Sequence, residues 1–166
     1  LTPLPKNVDF ESAAFTTLGA IALHGLRLAE PQLGENVAVI GLGLLGLMTI
    51  QLAAAAGCNV LGIDLDPKRI KLASSLGLEA VSRQNAESAS AAHFATANRG
   101  FDSIIICADT PSNDPVELAG VIARDRAKVV ATGAVGLNFP RKIYYEKEIS
   151  FINSRSYGPG RYDLNY

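Results

Sequence analysis

The chain has little with which to build a cross-linked or metal-bound scaffold: its 166 residues include two cysteines and two histidines. Cys58 and Cys107 lie 49 positions apart, one after a helical run and the other at the end of an apolar strand run. That spacing suits neither a disulfide framework nor a zinc knuckle. His24 and His93 stand apart from both, so the roughly three or four ligands of a zinc site are not assembled, and no zinc is expected in this stretch. Excess charge is missing too. Fifteen Lys and Arg against sixteen Asp and Glu leave a net charge of −1, with no basic stripe, and nucleic acid is not an expected partner. The opening Leu1-Thr2-Pro3-Leu4-Pro5-Lys6 has no initiator methionine and no signal-peptide architecture. It reads as a piece of a longer cytoplasmic protein.

Charge is absent altogether from Val37 to Ile63, 27 residues, which exceeds the roughly 20 needed to cross a bilayer. Five glycines, Gln51 and Asn59 interrupt this run. No basic flank orients it, and Gly57 stands where a helix C-cap belongs. A membrane span is therefore not expected. With 48% hydrophobic and 19% charged residues, the chain has the composition of one packed domain rather than of a disordered segment.

The same run has an internal order of its own. Asn36-Val37-Ala38-Val39-Ile40 reads as a strand and meets Gly41-Leu42-Gly43-Leu44-Leu45-Gly46, the G-x-G-x-x-G spacing, at the start of a helical run. Asp64 follows about twenty residues on, at the tip of a second strand, Val60-Leu61-Gly62-Ile63. This is the context a dinucleotide site requires. Gly41 permits a tight turn, Gly43 lets backbone approach a pyrophosphate, and Gly46 lets helix and strand pack closely. Phosphates would lie at the positive end of the helix dipole, and Asp64 would accept from the adenosine ribose hydroxyls. A methyltransferase shows a similar glycine loop and acidic ribose ligand, and a non-catalytic dinucleotide-binding module would show the same features.

Along the chain, Asp9 or Ser12 caps a lead-in helix, a longer helix runs through Leu18–Leu26, and Pro31 and Gly34 end it. The helix after Gly46 is apolar all round, so its outer face meets the lead-in helix or a missing domain, or its alanines Ala53 to Ala56 tolerate solvent. Asp66-Pro67 begins the next helix, which makes Asp66 structural. A third strand is expected over 78–81, a helix over 85–98 anchored by Phe94, and a fourth strand over 101–107. Further on come a helix over 115–123 and a fifth strand over 128–133. The tyrosine-rich charged run Tyr144-Tyr145-Glu146-Lys147-Glu148 is a candidate solvated edge, followed by a last strand over 149–152. Alternating strands and helices with short joints predict an α/β fold, a doubly wound parallel sheet with helices on both faces. The expected division is a single dinucleotide-binding domain over 1–166: lead-in helices to residue 34, a Rossmann core over 36–133, and a last strand and exit tail over 143–166.

Taken together, Ala13-Ala14, the 18–26 helix, Gly34, GLGLLG, Gly62-Ile63-Asp64, the run 66–69, Phe101-Asp102, Gly133 and Lys147-Glu148 resemble the cofactor domain of the medium-chain dehydrogenase/reductase superfamily, the zinc-type alcohol and polyol dehydrogenases. The resemblance implies the NAD(P)-binding domain of an oxidoreductase that moves hydride between nicotinamide and an alcohol, carbonyl or sugar-like substrate, and the Asp64 carboxylate makes NAD the expected cofactor and NADP less favoured. A separate GroES-like catalytic domain would supply the missing residues, and the last strand would pair with its copy in a homodimer. It further implies that Gly41, Gly43, Leu44, Leu45 and Gly46 form the pyrophosphate turn, Asp64 the ribose ligand and Arg69 a basic residue by the adenosine. Cys107 and Ala108 fall at the fourth strand's tip, Gly133 and Ala134 near the nicotinamide, and Ser154 beside them. Two positions depart from the family: Phe15-Thr16-Thr17 offers no strong zinc ligand before the lead-in helix, and the fourth strand ends in Asp109 rather than glycine. The tail from Ser156 to Asp163 also resembles bacterial proteins in which such a unit is fused to a Gfo/Idh/MocA-type oxidoreductase domain.

Overall fold

In the computed structural model, which describes residues 3–93, 100–163 and 165, the chain begins with two capped helices. Asp9 N-caps α1 (Phe10–Ala14) by accepting from the Ser12 N–H at 2.7 Å. Helix α2 (Thr16–Ala29) follows and ends at Glu30 in the left-handed region, where Glu30 pairs with Lys128. The strands are β1 (Asn36–Ile40), β2 (Asn59–Asp64), β3 (Ala80–Ser82), β4 (Phe101–Ile106), β5 (Ala123–Ala131) and β6 (Ser150–Asn153). All pair in parallel, in the order β3-β2-β1-β4-β5-β6. The helices between them are α3 (Leu44–Ala55), α4 (Pro67–Ser75), α5 (Ala86–His93), α6 (Asp114–Ile122) and α7 (Arg141–Glu146). The doubly wound parallel sheet expected from the sequence is present.

Alternation along the strands explains why they read as unbroken apolar runs. Ala38, Ile40, Ile104 and Ile106 enter one core with Val116, Leu118 and Tyr144. Their neighbours Val37, Val39 and Ile105 enter the cores of the opposite face, with Leu26, Ile50, Ala53 and Ala73. Successive side chains point to opposite faces, and both faces are covered. Each fully buried isoleucine contributes about 1.5–3 kcal/mol. Helix α3 packs against the lead-in helix α2, where a Cβ on Gly19 would stand 3.3 Å from the Met48 methyl. Of its alanines Ala53 is buried, Ala54 half-buried, and Ala55 and Ala56 exposed. Both explanations of its apolar surface therefore apply, at different positions. Among the described residues no helix is long and apolar enough to cross a membrane.

Several boundaries differ from expectation, and β5 also ends at Ala131 rather than at 133. Strand β3 starts two residues late, because the Leu78 N–H is spent on the Ala73 carbonyl in closing α4. Helix α5 is preceded by a 3-10 turn over Arg83–Asn85, and its expected continuation through Phe94 lies outside the described residues. Cys107 falls just beyond β4. Strand β5 begins at Ala123, directly at the end of α6, and bulges: Phe101 faces Ala123 while Ser103 faces Lys128. The bulge carries Arg124, Asp125 and Arg126; Arg126 has φ of 58°, and Arg124 reaches Asp102 at 2.5 Å. Charge in that stretch hid the strand.

The tyrosine-rich run is solvated only in part: Tyr145, Glu146 and Glu148 are exposed, whereas helix α7 buries Tyr144 against Phe139 at 4.4 Å. The Tyr144 hydroxyl donates to the Val116 carbonyl at 2.9 Å, and burial pushes its phenol well above the usual range. Next to it, the Lys147 ammonium donates to the carbonyls of Gly120, Val121 and Ala123 at 2.8–2.9 Å, closing the C-terminal end of α6. Burial lowers its pKa, partly countered by Asp125. Lys147→Met is expected to destabilise the fold by on the order of 2–3 kcal/mol, because carbonyls of the last turn lose a charged donor. Urea unfolding measures this, and a midpoint unchanged within error would refute the capping role.

Candidate functional site

The strand order reverses between β1 and β4, and a crevice opens beyond the carboxyl ends of those strands. The glycine turn forms its floor. Gly41 sits at φ of 93°, and its N–H donates to the Ile63 carbonyl at 2.8 Å. A Cβ there would lie 2.6 Å from the Ala108 nitrogen. Leu42 turns inward and is fully buried. At Gly46 a Cβ would overlap the Gly41 carbonyl oxygen and stand 3.4 Å from the Cys107 Cβ. Gly43 is different: it is the N-cap of α3 with no side-chain cap bond, and a Cβ on it would meet only the Arg69 guanidinium, at 4.0 Å. The open space over Gly43, beside the unpaired N–H groups of the first helical turn, is a cradle for an anion.

Asp64 is 7% exposed. One carboxylate oxygen accepts from the Leu42 N–H at 2.6 Å and the other from the Asp66 N–H at 2.8 Å. Arg69 approaches it to 3.5 Å and Asp66 to 3.9 Å, with its side chain half exposed. The carboxylate thus ties the glycine turn to the tip of β2 while keeping lone pairs for a ligand. Asp66 caps α4 by accepting from the Lys68 N–H at 2.8 Å, in line with its structural reading.

Gly41, Gly43, Asp64, Arg69, Cys107 and Ala108 all line one cavity of about 800 Å³. Leu44, exposed, and Leu45, half-buried, form the first turn of α3 with Gly46. Gly133 adjoins the cavity through Ala108, whose carbonyl oxygen a Cβ on Gly133 would overlap. The Ala134 carbonyl accepts from the Thr110 N–H at 2.8 Å. Ser154 lies just past β6, its N–H on the Ala131 carbonyl at 2.8 Å. Its hydroxyl and that of Thr132 are buried and lack a hydrogen-bond partner. A smaller hollow of about 540 Å³ lies at the opposite ends of the strands, where Lys147 and Arg124 are already committed to other groups.

Sequence reasoning missed Thr132, Arg83 and Asp114. Arg83 and Asp114 line the cavity and bond to each other. Asp114 falls just outside the helix expected over 115–123, and Arg83 just beyond the strand expected over 78–81.

Among the described residues, those that line the cavity include no histidine. Burial pushes the Cys107 thiol up to about 11, with the Thr49 hydroxyl opposing, so it is protonated at neutral pH. The His24 ring packs against Gly158 instead, its pKa lowered by burial and by Arg27. Among the described residues, no group of three or more His, Cys, Asp or Glu is placed to hold a metal ion. The arrangement can bind and orient a ligand that is anionic at its middle and hydroxylated beside Asp64.

Comparison with known proteins agrees with that architecture. The family model described as zinc-binding dehydrogenase matches residues 45–165. Galactitol 1-phosphate 5-dehydrogenase of Escherichia coli (strain K12) is 31% identical over 134 residues, which are 80% of this chain and 38% of that protein. The solved alcohol dehydrogenase TADH from Thermus sp. ATN1 superposes with a TM-score of 0.83 at 28% identity, over 94% of this chain and 46% of that one. A Sinorhizobium meliloti 1021 protein solved bound to NADP superposes at 0.77 and 26% identity, over 91% and 46%. The chain spans about half the length or less of these relatives.

Proposed function

The chain belongs to the zinc-binding dehydrogenase family, and from that premise we propose that its cleft holds the nicotinamide dinucleotide of an oxidoreductase acting on an alcohol, carbonyl or sugar-like substrate. The observation that carries this is the open position over Gly43, set between the first turn of α3 and the carboxylate of Asp64. Bound there, the dinucleotide would supply the hydride chemistry. The protein's share is to orient it. The first turn of α3, from Leu44 to Gly46, would receive the pyrophosphate, Asp64 the ribose hydroxyls, and Arg69 would lie by the adenosine. Cys107, Ala108, Gly133, Ala134 and Ser154 would run along the nicotinamide side. The relatives are named as dehydrogenases and give a methyltransferase no support.

NAD(H) is favoured over NADP(H). The additional phosphate brings about −1.5 to −2 charges towards Asp64, and at ~5 Å and an effective dielectric near 20 each unit charge is disfavoured by on the order of 3 kcal/mol. Titration by cofactor fluorescence tests this: wild type is expected to bind NADH at least tenfold more tightly than NADPH. Asp64→Ser should shrink that gap while weakening NADH, since it also releases the Leu42 and Asp66 amides. Equal affinity of the wild type for both would refute the assignment.

Half-length coverage supports a GroES-like catalytic domain elsewhere in the protein as the opposite wall of the cleft, and we assign any zinc to it. The four-residue β6 at the sheet edge suits pairing with a second copy. The tail from Ser156 to Asp163 supports a following oxidoreductase domain, and the whole is expected in the cytoplasm.

A further inference from the structure

Two guanidinium groups line the cleft, Arg69 and Arg83, against four carboxylates, Asp64, Asp66, Asp109 and Asp114. Both cations are already engaged. Arg69 lies by Asp64 and Asp66. Arg83 is held more firmly: its Nε donates to the two Asp114 oxygens at 2.8 and 3.0 Å, and its Nη2 donates to one of them at 2.6 Å. Its Nη1 stands 3.6 Å from Glu87. This two-pronged geometry is the strongest that arginine makes with a carboxylate, and the Arg83 side chain is only 24% exposed.

The position of the pair gives it a consequence. In the β2–β3 ladder Asp64 is the direct partner of Ser82, and Arg83 is the next residue. Arg83 therefore leaves its strand beside the carboxylate that would receive the adenosine ribose, where an additional ribose phosphate would have to lie. An arginine at that place ordinarily favours the phosphate. Here Asp114, reaching across from the start of α6, occupies it.

We propose that Asp114, by holding Arg83, is a specificity-determining residue that withholds from the 2′-phosphate of NADP a cation that leaves β3 next to the Asp64 partner Ser82. The proposal rests on reading the cleft as a dinucleotide site. Asp64 repels the phosphate, and the Arg83–Asp114 pair withholds compensation. The two act on the same cleft, one by excess charge and the other by a cation already spent.

The test is the ratio of the NADPH and NADH dissociation constants in the full-length protein, since a loss of folding weakens both and cancels in the ratio. Asp114→Asn, which keeps the shape but gives up one anionic acceptor, is expected to move the ratio about tenfold towards NADPH. Asp114→Glu should leave it near wild type. Asp109→Asn removes an equal charge from the same cleft without releasing an arginine, and should move it less than about threefold. Adding Arg83→Gln to Asp114→Asn should abolish the gain, while Arg83→Gln alone should leave the ratio as it is. An unchanged ratio in Asp114→Asn, an equal change in Asp109→Asn, or a loss of NADPH binding in Arg83→Gln alone overturns the proposal. A wild type that binds neither dinucleotide overturns instead the reading of the cleft on which it depends.

Discussion

Gly46→Ala is expected to destabilise the fold by about 3 kcal/mol or more, whereas Gly43→Val should fold normally and lose the dinucleotide. Three glycines in one motif thus divide into two kinds. A Cβ at Gly46 would overlap the Gly41 carbonyl oxygen, a backbone atom held in place because the Gly41 N–H bonds to Ile63 at 2.8 Å. Backbone on both sides cannot yield as a side chain would, so the cost is at the upper end of overpacking penalties. Gly43, by contrast, meets nothing nearer than 4.0 Å. Valine there places its carbons in the cleft and leaves the core untouched. Urea unfolding and an NADH titration on both variants separate the roles. A stable Gly46→Ala, or a Gly43→Val that binds NADH like wild type, would show that the motif is assigned wrongly.

The 166-residue chain alone is expected to bind NAD(H) weakly and turn nothing over. Holding a reacting carbon against a nicotinamide in a near-attack geometry accounts for roughly 7–11 kcal/mol of barrier lowering. No histidine is among the described residues that line the cleft, burial raises the pKa of the Cys107 thiol, and His24 faces the tail loop. Assaying the chain and the full-length protein side by side on alcohols and sugar derivatives with NAD checks this. Turnover by the chain alone, lost in Gly43→Val, would place the active site within these residues.

How much of this was legible beforehand depended on whether the signal was local. The β1–Gly41–α3 unit announces itself because strand, turn and helix follow in consecutive residues, and Asp64 is found by counting along the same segment. The Asp64 interactions with the Leu42 and Asp66 amides extend that reading without altering it. The sequence signal for β5 starts only at Lys128 because Arg124, Asp125 and Arg126 look like a loop, and only pairing with Phe101 across the sheet makes them a bulge. Tyr144 reads as solvated in the sequence for a similar reason. Its burial depends on Phe139, Phe151 and the Val116 carbonyl, contacts that no periodicity within α7 reports. The Arg83–Asp114 pair joins residues 31 apart in sequence and carries no motif.

The parallel ladder of β1 with both β2 and β4 also governs how the chain assembles during synthesis. When β2 has emerged, one edge of β1 can be satisfied, but the other waits about 40 residues for β4. At ~5–20 residues per second that is a delay of roughly 2–8 seconds. Throughout it, Val37 to Ile40 would present unpaired amides and carbonyls on a wholly apolar strand, the kind of edge that recruits foreign strands. Crowded overexpression should therefore drive nascent chains into inclusion bodies through this segment. Slowing initiation so that ribosomes are spaced further apart should recover more native protein than lowering the temperature after synthesis is complete.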